Sequence, residues 1–90
     1  MKKRELAKVI VIRVFCNKYG LPPSYFKEKD TLKKWKIQSP DLDEIAYDIN
    51  TDNSHGVFVT PEEIGKQETI GAVIDLVAGR LKTPGKKPRR

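Results

Sequence analysis

Apolar residues in this chain recur at three- and four-residue steps in three places, and each place is followed by residues that stop a helix. From about Arg4 to Tyr19, residues Ala7, Val11, Val14, Phe15 and Tyr19 line one helical face, and Gly20 closes it. The β-branched run Val9 to Ile12 also admits a strand, but its flanks lack turn residues and no second segment offers a partner. Leu21 to Gln38, with Pro22-Pro23 and many lysines, reads as a long connection with a helical turn around Ser24 to Lys27. Tyr25, Phe26, Leu32, Trp35 and Ile37 are its expected anchors to the core. Ser39-Pro40-Asp41 opens a second helix, with Ser39 as N-cap, Pro40 at the first helical position, and Asp41, Asp43 and Glu44 near the positive dipole end. Leu42, Ile45, Ala46 and Ile49 form its inner face, and the poor helix formers from Asn50 to Gly56 predict a short or frayed end. Val57 to Val59 is an extended link. Thr60-Pro61-Glu62-Glu63 then carries an N-cap, an N1 proline and a capping-box glutamate for a brief third helix. A last helix follows Thr69, with Ile70, Val73, Ile74, Val77 and Leu81 as its stripe. The reading is an all-α four-helix bundle over residues 1–81, with a long loop after helix one and a short third helix. Residues 82–90, proline-containing and without an apolar anchor, are expected to be a disordered basic tail.

Charge changes this picture more than composition does. Ninety residues, 38% hydrophobic and 33% charged, suit one modest helical core. The net charge of +6 conceals a dipolar chain: residues 1–40 hold eleven Lys or Arg against three acids, residues 41–77 nine acids against one base, and residues 78–90 six bases. Cys16 is a lone cysteine, expected to be buried, and with the single His55 it makes no metal cluster. No nucleophile with a base and an orienting group, no paired metal ligands and no glycine-rich phosphate loop is present, so catalysis by the chain itself is not expected. Lys and Glu interrupt the apolar stretch after Met1-Lys2-Lys3-Arg4 and no small-residue cleavage site follows, which predicts a cytoplasmic, monomeric protein with no membrane span.

The order of helix, packed loop, acidic helix, short capped helix and final helix resembles that of acyl carrier proteins, and individual residues match. Tyr19-Gly20-Leu21-Pro22-Pro23 is similar to the family's Leu-Gly-Val-Asp-Pro, and Phe26 and Leu32 fall where its loop carries Ile and Phe. Leu42-Asp43 is similar to the Leu-Asp after the carrier serine, Gly56-Val57 to Gly-Ile, and Thr69-Ile70-Gly71 to Thr-Val-Gly. The resemblance covers roughly residues 5–80 and rests on the register of several short matches. It implies a domain that docks on a basic surface of a partner enzyme, of acyl-transfer or ligase type, through an acidic second helix: Asp41, Asp43, Glu44, Asp48 and Asp52.

The family's Asp-Ser-Leu attachment triplet is missing. Register from Leu42 puts Asp41 at the serine position, and an aspartate cannot accept the 4'-phosphopantetheine arm whose thiol carries the acyl chain. Ser39 is the nearby hydroxyl and the candidate attachment residue, but Pro40 follows it and the local sequence suits an N-cap, so no cofactor is the leading expectation. Two alternatives stand beside docking without an arm. One is a working carrier modified on Ser39. The other is nucleic-acid or anionic-surface binding through Lys2, Lys3, Arg4, Lys86, Lys87, Arg89 and Arg90, a partner class the short basic ends make the weaker expectation.

Overall fold

In the computed structural model, which describes residues 2–51 and 56–81, α1 spans Lys3–Tyr19, α2 Ser39–Thr51, α3 Pro61–Gly65 and α4 Ile70–Arg80. Two 3-10 turns, Pro23–Tyr25 and Lys33–Trp35, punctuate the loop between α1 and α2. Among the described residues there is no strand, only a single backbone bridge between Thr31 and Thr69, and no helix is long and apolar enough to cross a membrane. The all-α bundle with its long first loop and short third helix is therefore as read from the pattern. The tail at 82–90 and the candidate residue Asp52 lie outside the described residues.

Local sequence explains most helix ends. Gly20 takes a left-handed φ of 68°, and its amide donates to the Cys16 carbonyl at 2.8 Å, a conformation that costs glycine no steric penalty. At α3 the Thr60 hydroxyl accepts from Glu63 N at 3.1 Å while Thr60 N donates to the Glu63 carboxylate at 3.0 Å, so the capping box is complete. Thr69 caps α4 by accepting from Ala72 N at 3.0 Å. The start of α2 departs from expectation. Its first helical carbonyl is that of Gln38, which accepts from Leu42 N at 2.9 Å, and the Asp41 carboxylate reaches back to Gln38 N at 2.9 Å. Gln38 is the cap residue, Ser39 sits one position inside, and the Asp41 carboxylate, at the third helical position, reaches back to the amide of the cap residue itself rather than filling the role expected of the Ser39 hydroxyl.

The core is built chiefly where α1 lies along α4, with α2 closing one side and α3 packed on α2. The run from Val9 to Ile12 is helical, and Ile10, Val11 and Ile12 are all buried with Ala7, Val14 and Phe15, so α1 hides more than a single stripe. Ile45, Ala46 and Ile49 of α2 and Ile70, Val73, Ile74 and Val77 of α4 meet them, and Leu81 is buried just beyond α4. Three expectations need correction. Leu42 is only half-buried, because α2 begins at the domain's edge. Tyr25 is 54% exposed, while Phe26 beside it takes the core position. Cys16 is half-buried, with its thiol pushed above its usual pKa by desolvation.

The long loop is fastened by backbone and by rings. The carbonyls of Asp30 and Glu28 accept from Ile70 N and Gly71 N, each at 2.9 Å, satisfying amides at the start of α4 that no helical turn can reach. A Cβ on Gly71 would stand 3.0 Å from the Glu28 carbonyl oxygen, so the loop can lie this close only on a glycine. Phe26 packs edge-on to Phe15 at 5.7 Å between centroids and lies 4.8 Å from Trp35, and Tyr19 is 5.6 Å from Trp35. The cluster holds a lysine-rich segment against α1 without burying a charge.

Candidate functional site

Turning the apolar face of α2 inward divides its acids. With 100° per residue, Asp41, Glu44 and Asp48 share one flank, and Asp43 shares another with Tyr47. The first flank looks at α1. Lys18, whose side chain is 9% exposed, reaches across to Asp41 at 3.1 Å and also bonds Glu44. Glu44 holds the ammonium above its ordinary pKa against the opposing effect of desolvation, and Asp41 is held below the usual carboxylate range by Gln38 N–H and then by Lys18. Asp48 lines a groove with Val14, Asn17 and Thr51 at the same α1–α2 seam. The four described acids of the recognition face inferred from the sequence, Asp41, Asp43, Glu44 and Asp48, thus do not share one surface. Lys18 neutralises part of it, Asp48 is half-buried beside it, and Asp43 is left fully outward.

Asp43 is exposed and, among the described residues, makes no ion pair or hydrogen bond. One turn later Tyr47 leaves 67% of its surface in solvent, the largest value among the exposed hydrophobic side chains. An aromatic on the polar face of an amphipathic helix is a signal the sequence carries, since Tyr47 falls outside the Leu42, Ile45, Ala46, Ile49 stripe. Sequence reasoning passed over it, and over two residues that fix the segment following α2. Asn50 clasps the backbone of Val59, donating to its carbonyl at 2.9 Å and accepting from its amide at 2.8 Å, which fixes the 57–59 segment beside the end of α2. Arg80 forks onto both carboxylate oxygens of Glu63, at 2.9 and 2.6 Å, and onto the Phe58 carbonyl at 3.0 Å. Val57 and Val59 are buried and Phe58 between them is 65% exposed, as alternation along an extended segment requires. Nothing local announces these partners, because each lies nine or more residues away.

Ser39 is exposed, and its hydroxyl makes no hydrogen bond among the described residues. In sequence it stands between Ile37 and Leu42, which with Leu32 and Gly65 line a cleft of about 460 Å³ between the loop and the end of α3. Lys33, Lys66 and Glu68 are the charged residues of its lining. No group of His, Cys, Asp and Glu among the described residues is arranged to hold a metal ion. Comparison with protein-family models, with curated proteins and with solved structures finds no match.

Proposed function

We propose that this chain is a non-catalytic, acyl-carrier-like docking module that presents the outward side of α2 to a basic surface on a partner enzyme of acyl-transfer or ligase type, without a covalent arm. The observation that carries the reading is Tyr47, 67% exposed, one turn from the Asp43 carboxylate, which pairs with none of the described residues. A tyrosine adds large rigid contact area with few rotors to freeze, which is why such side chains concentrate binding energy at interfaces. A neighbouring carboxylate steers a cationic partner and sets orientation. Asp48 adds charge at the flank, whereas Asp41 and Glu44 are held by Lys18 and contribute little. Affinity capture followed by identification of the partner tests this: Asp43→Lys with Tyr47→Ala should abolish recovery of an acyl-transfer or ligase enzyme, and removal of residues 82–90 should leave it nearly intact. Recovery unaffected by the α2 changes would overturn it.

A second reading, a carrier modified on Ser39, gains from one specific observation. With Gln38 as the cap residue and Asp41 on its amide, the exposed Ser39 hydroxyl makes no hydrogen bond among the described residues. Ser39→Ala should therefore be nearly neutral for stability. Intact mass after incubation with coenzyme A and a broad-specificity phosphopantetheinyl transferase separates the two readings: an unmodified mass supports docking alone, and a gain of one phosphopantetheine group that Ser39→Ala removes establishes the carrier.

A further inference from the structure

Phe26 plugs the first loop into the core, and its neighbours Ser24, Lys27 and Lys29 stand with Lys8 of α1 around a surface cleft of about 470 Å³. The carboxylate in that lining, Glu28, is already engaged, 2.9 Å from Arg4 Nη2 and 3.3 Å from Lys8 Nζ. Two further acids nearby are likewise taken, Asp75 by Arg4 at 2.7 Å and Asp30 by Lys34 at 3.2 Å. Five cations, Arg4, Lys8, Lys27, Lys29 and Lys34, therefore surround three neutralised carboxylates, and Lys29 is exposed with no ion pair among the described residues. Lys27 Nζ bonds the Ser24 carbonyl at 3.4 Å and forms no ion pair among the described residues, though, after the Lys27 amide and the Lys34 ammonium, its charge helps hold the Asp30 carboxyl below its usual range. Positive charge is left over around an open concavity.

An exposed aromatic lies next in sequence to the cleft's lining. Tyr25, between the lining residues Ser24 and Phe26, is 54% exposed. Its backbone is rigid: Pro23 opens the 3-10 turn, Tyr25 N donates to the Pro22 carbonyl at 3.0 Å, and Phe26 N donates to the Pro23 carbonyl at 3.0 Å. A lysine-lined cleft with surplus positive charge, and an exposed, preorganised ring next to it in sequence, are what an unpaired polynucleotide requires, the cations meeting phosphates and the ring meeting a base face. This surface is distinct from the α2 docking side. Lys8 and Lys18 are ten positions apart on α1, about 15 Å along its axis. The Lys8 end is tied to Asp75 of α4 through Arg4, and the Lys18 end to α2.

We propose that Lys8, Lys27, Lys29 and Tyr25 form a binding surface for single-stranded nucleic acid, independent of the α2 face. The test is fluorescence anisotropy of a labelled oligothymidylate titrated with the full chain at rising salt. With Lys27 and Lys29 on phosphates and Lys8 paired with Glu28, the logarithmic salt slope should be about −1.4, so affinity falls about sevenfold from about 50 to about 200 mM salt. Lys27→Glu with Lys29→Glu should weaken binding at least about tenfold, and the milder Lys27→Gln with Lys29→Gln should move it in the same direction. Tyr25→Ala should weaken it at least about fivefold through lost stacking. The pair Lys33→Glu with Lys66→Glu makes the same change in net charge at the other cleft and should leave affinity within about twofold, as should removal of residues 82–90. Circular dichroism confirms that each variant is folded. Equal loss from the two double reversals, no effect of Tyr25→Ala, or preferential capture by phosphatidylserine vesicles or an acidic peptide would each overturn the proposal.

Discussion

Replacing Asn50 by alanine removes a side chain that no helix or core pattern calls for, and the structure sets the cost. Its carboxamide makes two hydrogen bonds, at 2.9 and 2.8 Å, to the backbone of Val59, a residue whose own side chain is fully buried. Each such bond contributes about 0.5–1.5 kcal/mol net, and leaving the Val59 amide and carbonyl without partners moves the total toward the top of that range, about 2–3 kcal/mol. For a domain of this size that is a fall in melting temperature on the order of 10–20 °C, read by circular dichroism at the helix band. Asn50→Asp sharpens the test. It keeps an acceptor for the Val59 amide but turns an oxygen toward the Val59 carbonyl, so its folded-state pKa should be raised. A group with a raised pKa contributes stability that is present below its unfolded value, about 3.9, and is lost as pH rises through the folded value. The deficit of Asn50→Asp against wild type should therefore shrink on acidification. Thr51→Ala, which loses only an exposed bond to the Tyr47 carbonyl, is the control and should stay within about 0.5 kcal/mol. If Asn50→Ala melts alongside Thr51→Ala, or Asn50→Asp shows no pH dependence, the clasp does not hold the 57–59 segment.

Three other outcomes follow from particular contacts. Gly71→Ala and Gly79→Ala should have opposite signs in urea unfolding: the first places a Cβ 3.0 Å from the Glu28 carbonyl and should cost about 1–3 kcal/mol, outweighing the helix gain, whereas the second meets nothing within 4 Å and should gain up to about 1 kcal/mol. Ile49→Ala should cost about 2–5 kcal/mol, while Leu42→Ala, half-buried beside the cleft, should cost less than about 2 kcal/mol by the same assay. Glu63 is held at a pKa of about 2, first by the Arg80 guanidinium and then by the Thr60 amide. A depressed carboxylate contributes stability above its unfolded pKa and loses it as pH falls through the folded value, so the loss in acid should begin below about pH 5 and continue to about pH 2. Arg80→Leu should narrow that acid-sensitive component in a pH-resolved melting series.

What the sequence by itself determined is the part governed by neighbours within a turn or two. The Thr60–Glu63 box, the start of the last helix after Thr69, the stop at Gly20 and the α4 stripe all depend on partners three or four residues away, and all are found where the pattern puts them. Local chemistry left the Val9–Ile12 run open between helix and strand, and at α2, where Ser39 is read as the cap, the helix begins with Gln38 as cap and the Asp41 carboxylate on the Gln38 amide. The exposed candidates Asp43 and Tyr47 were legible in kind, as polar-face positions of an amphipathic helix. Tertiary structure alone decided which of the α2 acids remain available, because Lys18 reaches Asp41 and Glu44 from 23 and 26 positions away. It also decided that Glu28 and Asp30 lend their carbonyls to α4, and that Asn50 and Arg80 fix the segment after α2. Those bonds join residues whose types are common and whose spacing carries no period. They become determinate only when burial of the apolar stripes has set the helices side by side.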